Sequence, residues 1–416
     1  MTRRRVAVTG IGAVTPHGGD AQLFFDALLR GESAIRLYQG EAAPQPLAIP
    51  AGYCADFDAA ASLGRSRANG MDRFSQLGAT AAQSAWQDAG LDRDDSLQKH
   101  DVGVFWGTGG GGFGTTERGY QDLFLRDKTR ISPLSVMFSM SNAAATHIAI
   151  GLGLGGANVT YSVACASSAI AIGEAFRRVR SGEAAVMLAG GSEAPLAYGV
   201  IRAWESLKIL APGDAASAPS ACRPFDAERR GLVLSEGAGA IVLEDWDRAV
   251  ARGATIYAEL AGYGTRCDHV HLSRPDAAGQ VRALEAALVD AGLRPDEIDY
   301  VNAHGTATRE GDAAEIAALA QVFGDHASRL AISATKSMHG HALGAAGAIE
   351  AIVTILAVAR QAIPPTAHLA ELAPECMGVR HVGLGERDVP VRAALSNSFA
   401  FGGSNAVLAC RKAVLS

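Results

Sequence analysis

An α/β protein built from two related halves is the architecture this sequence predicts, and three observations carry the prediction. Short apolar runs of strand length alternate with longer segments of helical periodicity, the pattern of sheets covered by helices. One helix–turn–strand phrase occurs twice. Asp88-Ala89-Gly90-Leu91 precedes Val102-Gly103-Val104-Phe105-Trp106, and Asp290-Ala291-Gly292-Leu293 precedes Ile298-Asp299-Tyr300-Val301-Asn302. The 48 glycines show no Gly-X-Y period, so they mark tight turns and close backbone packing, not a fibrous chain.

Taken in order, Val6-Ala7-Val8 is a buried strand that ends at Gly10-Ile11-Gly12. Gln22 to Leu29 and Gln76 to Asp88 have helical spacing. The strand Val102 to Trp106 runs into Gly107-Thr108-Gly109-Gly110-Gly111-Gly112. Tyr161-Ser162-Val163-Ala164 reads as a strand end, and Ser167 to Arg180 as the helix after it. Gly262-Tyr263-Gly264, after Ile256 to Leu260, echoes Gly10-Ile11-Gly12 after the first strand. The duplication divides the chain near residue 250, into halves 1–250 and 251–416. Gly10-Ile11-Gly12 has part of a dinucleotide-loop pattern, but no acidic residue follows at the required distance, which argues against NAD binding.

Bulk properties exclude several classes. With 416 residues, 48% hydrophobic and 19% charged, the chain can bury a large core. Its 37 basic and 43 acidic residues give a net charge of -6, without the electrostatic footprint of nucleic-acid binding. The six cysteines are scattered with no Cys-x-x-Cys pair, which suits a reducing cytoplasm. Met1-Thr2-Arg3-Arg4-Arg5 is followed by too short an apolar run for a signal peptide. No window offers about 20 uninterrupted apolar residues. The nearest candidate, Ala143 to Ala175, is broken by His147, Asn158, Tyr161 and glycines and reads as core.

Three loop segments carry the chemistry. Cys165 lies in Val163-Ala164-Cys165-Ala166-Ser167-Ser168, at a strand-to-helix turn. A helix N-terminus favours a thiolate, and thiol pKa values at such places fall to roughly 3.5–7.5. His304 lies in Asn302-Ala303-His304-Gly305-Thr306, at the C-terminal end of a strand, where α/β proteins place reactive groups. His341 lies in Lys336-Ser337-Met338-His339-Gly340-His341, before a run of small residues that starts a closely packed helix. Alone, either histidine reads as a satisfied structural residue. A thiol nucleophile, two imidazoles and a lysine, each in a loop of small residues, together make a reaction centre. Cys54, Cys267, Cys376 and Cys410 read as small buried hydrophobes. His339 reads as structural, and no His/Cys/Asp/Glu set has metal-ligand spacing.

In this order and with these flanks, the segments resemble the β-ketoacyl-acyl-carrier-protein synthases, the condensing enzymes of fatty acid and polyketide synthesis. The similarity runs from Arg5-Val6-Ala7-Val8-Thr9-Gly10 to Asn397-Ser398-Phe399-Ala400-Phe401-Gly402-Gly403-Ser404-Asn405. It implies the thiolase fold, two duplicated halves in a five-layer αβαβα sandwich. It implies that Cys165 holds the acyl chain and that His304 and His341 stabilise the enolate of a malonyl group losing CO2. The resemblance further implies that Lys336 pairs with Glu350 to organise the site, that the backbone N–H groups of Cys165 and Phe401 form the oxyanion hole, and that Phe401 gates the cysteine. Arg223-Pro224-Phe225-Asp226 and Ser235-Glu236-Gly237-Ala238-Gly239 are structural.

The two histidines separate the chain from thiolases, which carry a second cysteine, and from priming synthases, which carry an asparagine. The retained cysteine separates it from chain-length factors. Gly110 stands where one housekeeping class has a branched aliphatic at the end of the acyl pocket, so it predicts room for a longer or stiffer chain. With the Ala-Ser-Ser-Ala-Ile run after Cys165 and Asp268-His269-Val270-His271-Leu272-Ser273-Arg274-Pro275, it points to type II polyketide or aryl-polyene ketosynthases over fatty-acid synthases. The resemblance implies no bound cofactor, because substrates arrive on the phosphopantetheine of an acyl carrier protein. It also implies a dimer, with itself or with a chain-length-factor homologue, through Ile131 to Asn142 and Val159 to Val163. Arg65, Arg67 and Arg73 are candidates for carrier docking, with a solvated surface the safer reading of them.

Overall fold

Eleven strands form one long sheet and three a small one among residues 3–40, 45–385 and 389–414, which the computed structural model describes. The strands are β1 (Val6–Val14), β2 (Ile35–Gln39), β3 (Ala48–Gly52), β4 (Gly103–Gly107), β5 (Asn158–Tyr161), β6 (Val186–Glu193) and β7 (Leu234–Ser235). They continue as β8 (Gly237–Asp245), β9 (Ala258–Cys267), β10 (Tyr300–Asn302), β11 (Ala331–Ser333), β12 (Arg380–His381), β13 (Ala393–Phe399) and β14 (Ser404–Arg411). The small sheet is β2-β3-β7.

The long sheet shows the duplication directly. Its order is β12-β11-β10-β13-β14-β9-β1-β8-β6-β4-β5. Outward from the centre, one arm reads β1-β8-β6-β4-β5 and the other β9-β14-β13-β10-β11. In both arms the first two pairings are antiparallel and the next two parallel. The arms join where Val6 to Val8 run antiparallel to Ala258 to Leu260.

Helices complete five layers. Helix Arg73–Asp88 covers the outer side of β1 and β8, and helix Ala277–Ala291 the outer side of β9 and β14. Between the arms lie helix Ser167–Ser181, on β6 and β4, and helix Ala346–Arg360, which touches both β8 and β13. Every residue from Ala346 to Val358 is buried. Leu343–Arg360 is, among the described residues, the one helix long and apolar enough to cross a membrane, and 89% of it is inside the protein. Its composition follows from sitting between two sheets. The sequence had pointed to Ala143–Ala175 instead. That stretch is a helix, the edge strand β5 and part of the Cys165 helix, with Ile150 and Val159 exposed.

The first strand also differs from expectation. It continues through Gly10-Ile11-Gly12 to Val14. A side chain at Gly10 or Gly12 would collide with the Ala85 or Ala81 carbonyl oxygen of the covering helix. These glycines let a helix lie directly on strand backbone.

Candidate active site

Cys165 sits in the turn between β5 and helix Ser167–Ser181, as its flanks predict. Ala164 beside it has φ 44°, the left-handed region that disfavours a side chain. Ser167 holds this strained turn. Its hydroxyl accepts from the Val163 N–H at 2.7 Å and donates to the Ala164 carbonyl at 2.7 Å. The helix end does not lower the thiol pKa into the range expected. Burial pushes it up to about 11, and the Lys336 charge and the N–H groups of Phe401 and Cys165 only partly offset this. Desolvation of a fully buried thiolate outweighs a partial helix charge of about half a unit. His341 Nε2 lies 3.1 Å from the sulfur, placed to take the proton. Iodoacetamide labelling of Cys165, followed on its peptide by mass spectrometry, should therefore climb about tenfold per pH unit from about pH 7 to 9. A plateau below about pH 7.5 would show the helix end prevailing.

His304 follows β10 directly and is fixed at three points. Its N–H donates to Glu315 Oε1 at 2.8 Å, and the next N–H, of Gly305, to Oε2 at 2.8 Å. Its carbonyl accepts from Lys336 Nζ at 2.6 Å, and its ring Nδ1 lies 3.3 Å from the same ammonium. An ammonium can only donate, so Nδ1 accepts and the ring proton sits on Nε2. The third Lys336 hydrogen goes to Glu350 Oε1, completing a buried ion pair. Burial, then Lys336, then His341 push the His304 pKa well below the ordinary histidine value, and burial, then Lys336, then His339 do the same to His341. Both imidazoles are neutral at pH 7. Their ring centroids are 5.3 Å apart, edge to face.

The structure thus brings Cys165, His304, His341, Lys336 and Glu350 together from distant segments. The sulfur and one nitrogen from each ring lie within 4.8 Å of one another. Such a set could also hold a soft cation, which the residue spacing gave no hint of. The buried Lys336 ammonium beside His304 works against a second positive charge. Phe401 joins them at the mouth, in the turn between β13 and β14 closed by Ala400 N–H to Ser404 carbonyl at 2.9 Å. Its ring is 39% exposed and stacks on Trp204 at 6.1 Å.

Gly110 is placed differently from its simplest reading. A side chain on it would overlap the ring of Phe113, so the space its missing Cβ leaves is taken by an aromatic side chain. His339 is buried, with Nε2 3.2 Å from the Thr335 hydroxyl, a structural role. Cys54, Cys376 and Cys410 are buried as expected, but Cys267, at the end of β9, is exposed. Arg73 pairs with Glu236 at 2.8 Å and donates to the Cys54 carbonyl at 2.8 Å, so it is committed inside the fold. Arg65 is exposed and Arg67 half-buried. Sequence reasoning missed Ser167, Glu315, Trp204, and Asn397, whose amide donates to Glu315 at 2.9 Å. The partners of Glu315, Trp204 and Asn397 lie 10 or more residues away, whereas Ser167 bonds within its own turn, to Val163 and Ala164.

The family model described as the β-ketoacyl synthase N-terminal domain matches residues 3–249, and the C-terminal domain model matches residues 257–370. The chain belongs to the β-ketoacyl synthase family. It is similar to nodulation protein E of Rhizobium leguminosarum bv. trifolii, at 41% identity over 98% of this chain and 99% of the relative. It is 40% identical to 3-oxoacyl-[acyl-carrier-protein] synthase 2 of Synechocystis sp., over 99% of each chain. Among solved structures, the ishigamide ketosynthase/chain length factor superposes with a TM-score of 0.90 at 33% identity, over 99% of this chain and 100% of that one. This ketosynthase is an acyltransferase with the five-layer thiolase fold its motifs implied.

Proposed function

We propose that this ketosynthase performs decarboxylative condensation of a malonyl-carrier thioester with an acyl chain held on Cys165, in a type II polyketide or aryl-polyene system. The observation that carries the reaction is the convergence of one thiol and two neutral imidazoles within 4.8 Å. Cys165 Sγ attacks the thioester carbonyl of an acyl carrier, His341 Nε2 takes the thiol proton and passes it to the departing phosphopantetheine thiol, and the ring is neutral again. A malonyl carrier then enters past Phe401. Its carboxylate leaves as CO2, and the electron pair of the broken C–C bond forms an enolate at the thioester. His304, protonated on Nε2, donates to that oxygen, and His341 does so in the neutral tautomer with its proton on Nε2, which the acylated sulfur leaves free to form. The carbanion attacks the Cys165 thioester. The N–H groups of Cys165 and Phe401, both directed at the sulfur, hold the oxyanion until the thiolate is expelled.

Two features support a partner subunit of the same fold. Among the described residues β5 is an edge strand with one side unpaired, Val159 on it is exposed, and Ile150 on the helix that packs against it is exposed too, as are Ile131, Val136 and Met137 in the segment before that helix. The ishigamide relative is named for a ketosynthase with a chain length factor, whereas the Synechocystis relative carries a fatty-acid-type name. Co-expression with neighbouring genes separates the two readings. Copurification of a homologue lacking the cysteine supports the polyketide or aryl-polyene assignment. A homodimer that elongates saturated acyl carriers at full rate supports the fatty-acid one.

Chain length is set in part beside Gly110. Phe113, whose ring fills its Cβ position, also lines an apolar groove of about 420 Å³ with Tyr120, Phe124, Tyr198 and Val200. Gly110→Ile should push that ring into the acyl path and shorten accepted chains. Product lengths resolved by mass spectrometry test this, and undiminished use of long acyl carriers would refute it.

A further inference from the structure

We propose that Glu193 is a positioning residue for the condensation, one carboxylate that locks the His341 turn onto the Gly109–Gly110 loop. The proposal rests on the reading of Cys165, His304 and His341 as the condensing centre.

Glu193 ends β6 and is fully buried. Its Oε2 accepts from the N–H groups of Gly109 and, at 3.0 Å, Gly344. Its Oε1 accepts from the Thr108 hydroxyl at 3.1 Å and the Gly110 N–H at 3.2 Å. Among the described residues no ion pair reaches it. A buried carboxylate held only by neutral donors is costly, and burial pushes its pKa up to about 7 against the pull of those donors. A fold that only had to fill this space would use an apolar side chain.

What the carboxylate holds is informative. His341 is anchored by its N–H to the Val233 carbonyl at 2.7 Å and by its carbonyl to the Ser235 N–H at 2.9 Å. That fixes the start of the turn, and Glu193 fixes its end at Gly344. Between them Leu343 has φ 45°, a strained backbone that persists only when both ends are held. Its side chain packs in the apolar cluster around Cys165. On the other side, the Gly109 carbonyl accepts from Ser162 Oγ at 3.2 Å, in the nucleophile turn. One carboxylate therefore sets the register of the histidine turn, the Gly109–Gly110 loop and, through Ser162, the cysteine turn.

The test is Glu193→Gln. The amide keeps the size, but its NH2 must face either the Gly110 N–H or the N–H groups of Gly109 and Gly344, none of which can accept, so part of the clamp opens. CO2 release from malonyl carrier protein, without an acyl donor, is measured per folded molecule, with the folded fraction taken from circular dichroism and thermal melts. The expected result is a kcat about tenfold or more below wild type with KM within about twofold, the effect of a displaced His341. Gly344→Ala provides a second route. Its Cβ would overlap the Gly109 nitrogen and crowd Glu193 Oε2, separating the same two segments with the carboxylate itself retained, and the same loss of kcat is expected. Wild-type kcat in folded Glu193→Gln or folded Gly344→Ala overturns the proposal and leaves the proposed function standing. Wild-type enzyme that releases no CO2 overturns both.

Discussion

Lys336→Ala should lower the stability of the protein and remove condensation even in the molecules that fold. The ammonium donates all three hydrogens, to Glu350, the His304 carbonyl and His304 Nδ1. Its loss leaves Glu350 buried without its cation, and removing one partner of a buried pair costs about 3–5 kcal/mol. For a chain of this length that corresponds to roughly 3–6 °C in Tm. The catalytic loss has a separate origin. Without a donor at Nδ1 the His304 ring can turn and change tautomer, and the proton on Nε2 is no longer assured. Lys336→Met with Glu350→Gln separates the two effects. Removing both charges should recover most of the stability and none of the activity, as thermal melts and condensation assays on one preparation will show. Recovery of activity in that double variant would mean that Lys336 acts only by packing.

Cys165→Ala should abolish acyl loading and lower condensation by about ten-thousand-fold or more, because a covalent step is removed outright. Decarboxylation of malonyl carrier should survive. That step draws on the His304 and His341 rings, and their backbones are fixed by Glu315, Val233 and Ser235, not by the thiol. Loss of both steps in a folded variant would show that the cysteine turn also places the histidines.

The reacting groups were legible in the sequence because each occupies a local motif: Cys165 before a helix, His304 after a strand, and His341 before a run of small residues. The duplication was legible through Asp88-Ala89-Gly90-Leu91 and its repeat, although only the strand pairings reveal that both arms share one order. What holds the groups in place was not legible. Glu315 reaches His304 across 11 residues and Asn397 across 82, and Glu193 reaches Gly344 across 151. Such contacts depend on which strand ends meet, and no spacing rule encodes that. The thiol was misjudged for a related reason. A helix N-terminus can be read from sequence, whereas the burial that outweighs it depends on Leu343, Ile201 and Leu234 arriving from elsewhere. Gly110 was read as empty space because Phe113, three residues on, gave no sign of folding back over it.

The central claim is that Cys165 carries the growing chain while the two histidines stabilise the enolate. Intact-protein mass spectrometry tests it most directly. Mixed with an acyl carrier, the enzyme should gain the mass of one acyl group, mapped to the Cys165 peptide. Addition of malonyl carrier should then discharge that mass, with release of CO2 and appearance of a chain two carbons longer on the carrier. An adduct that forms equally on Cys165→Ala, or one that malonyl carrier fails to discharge, would contradict the account.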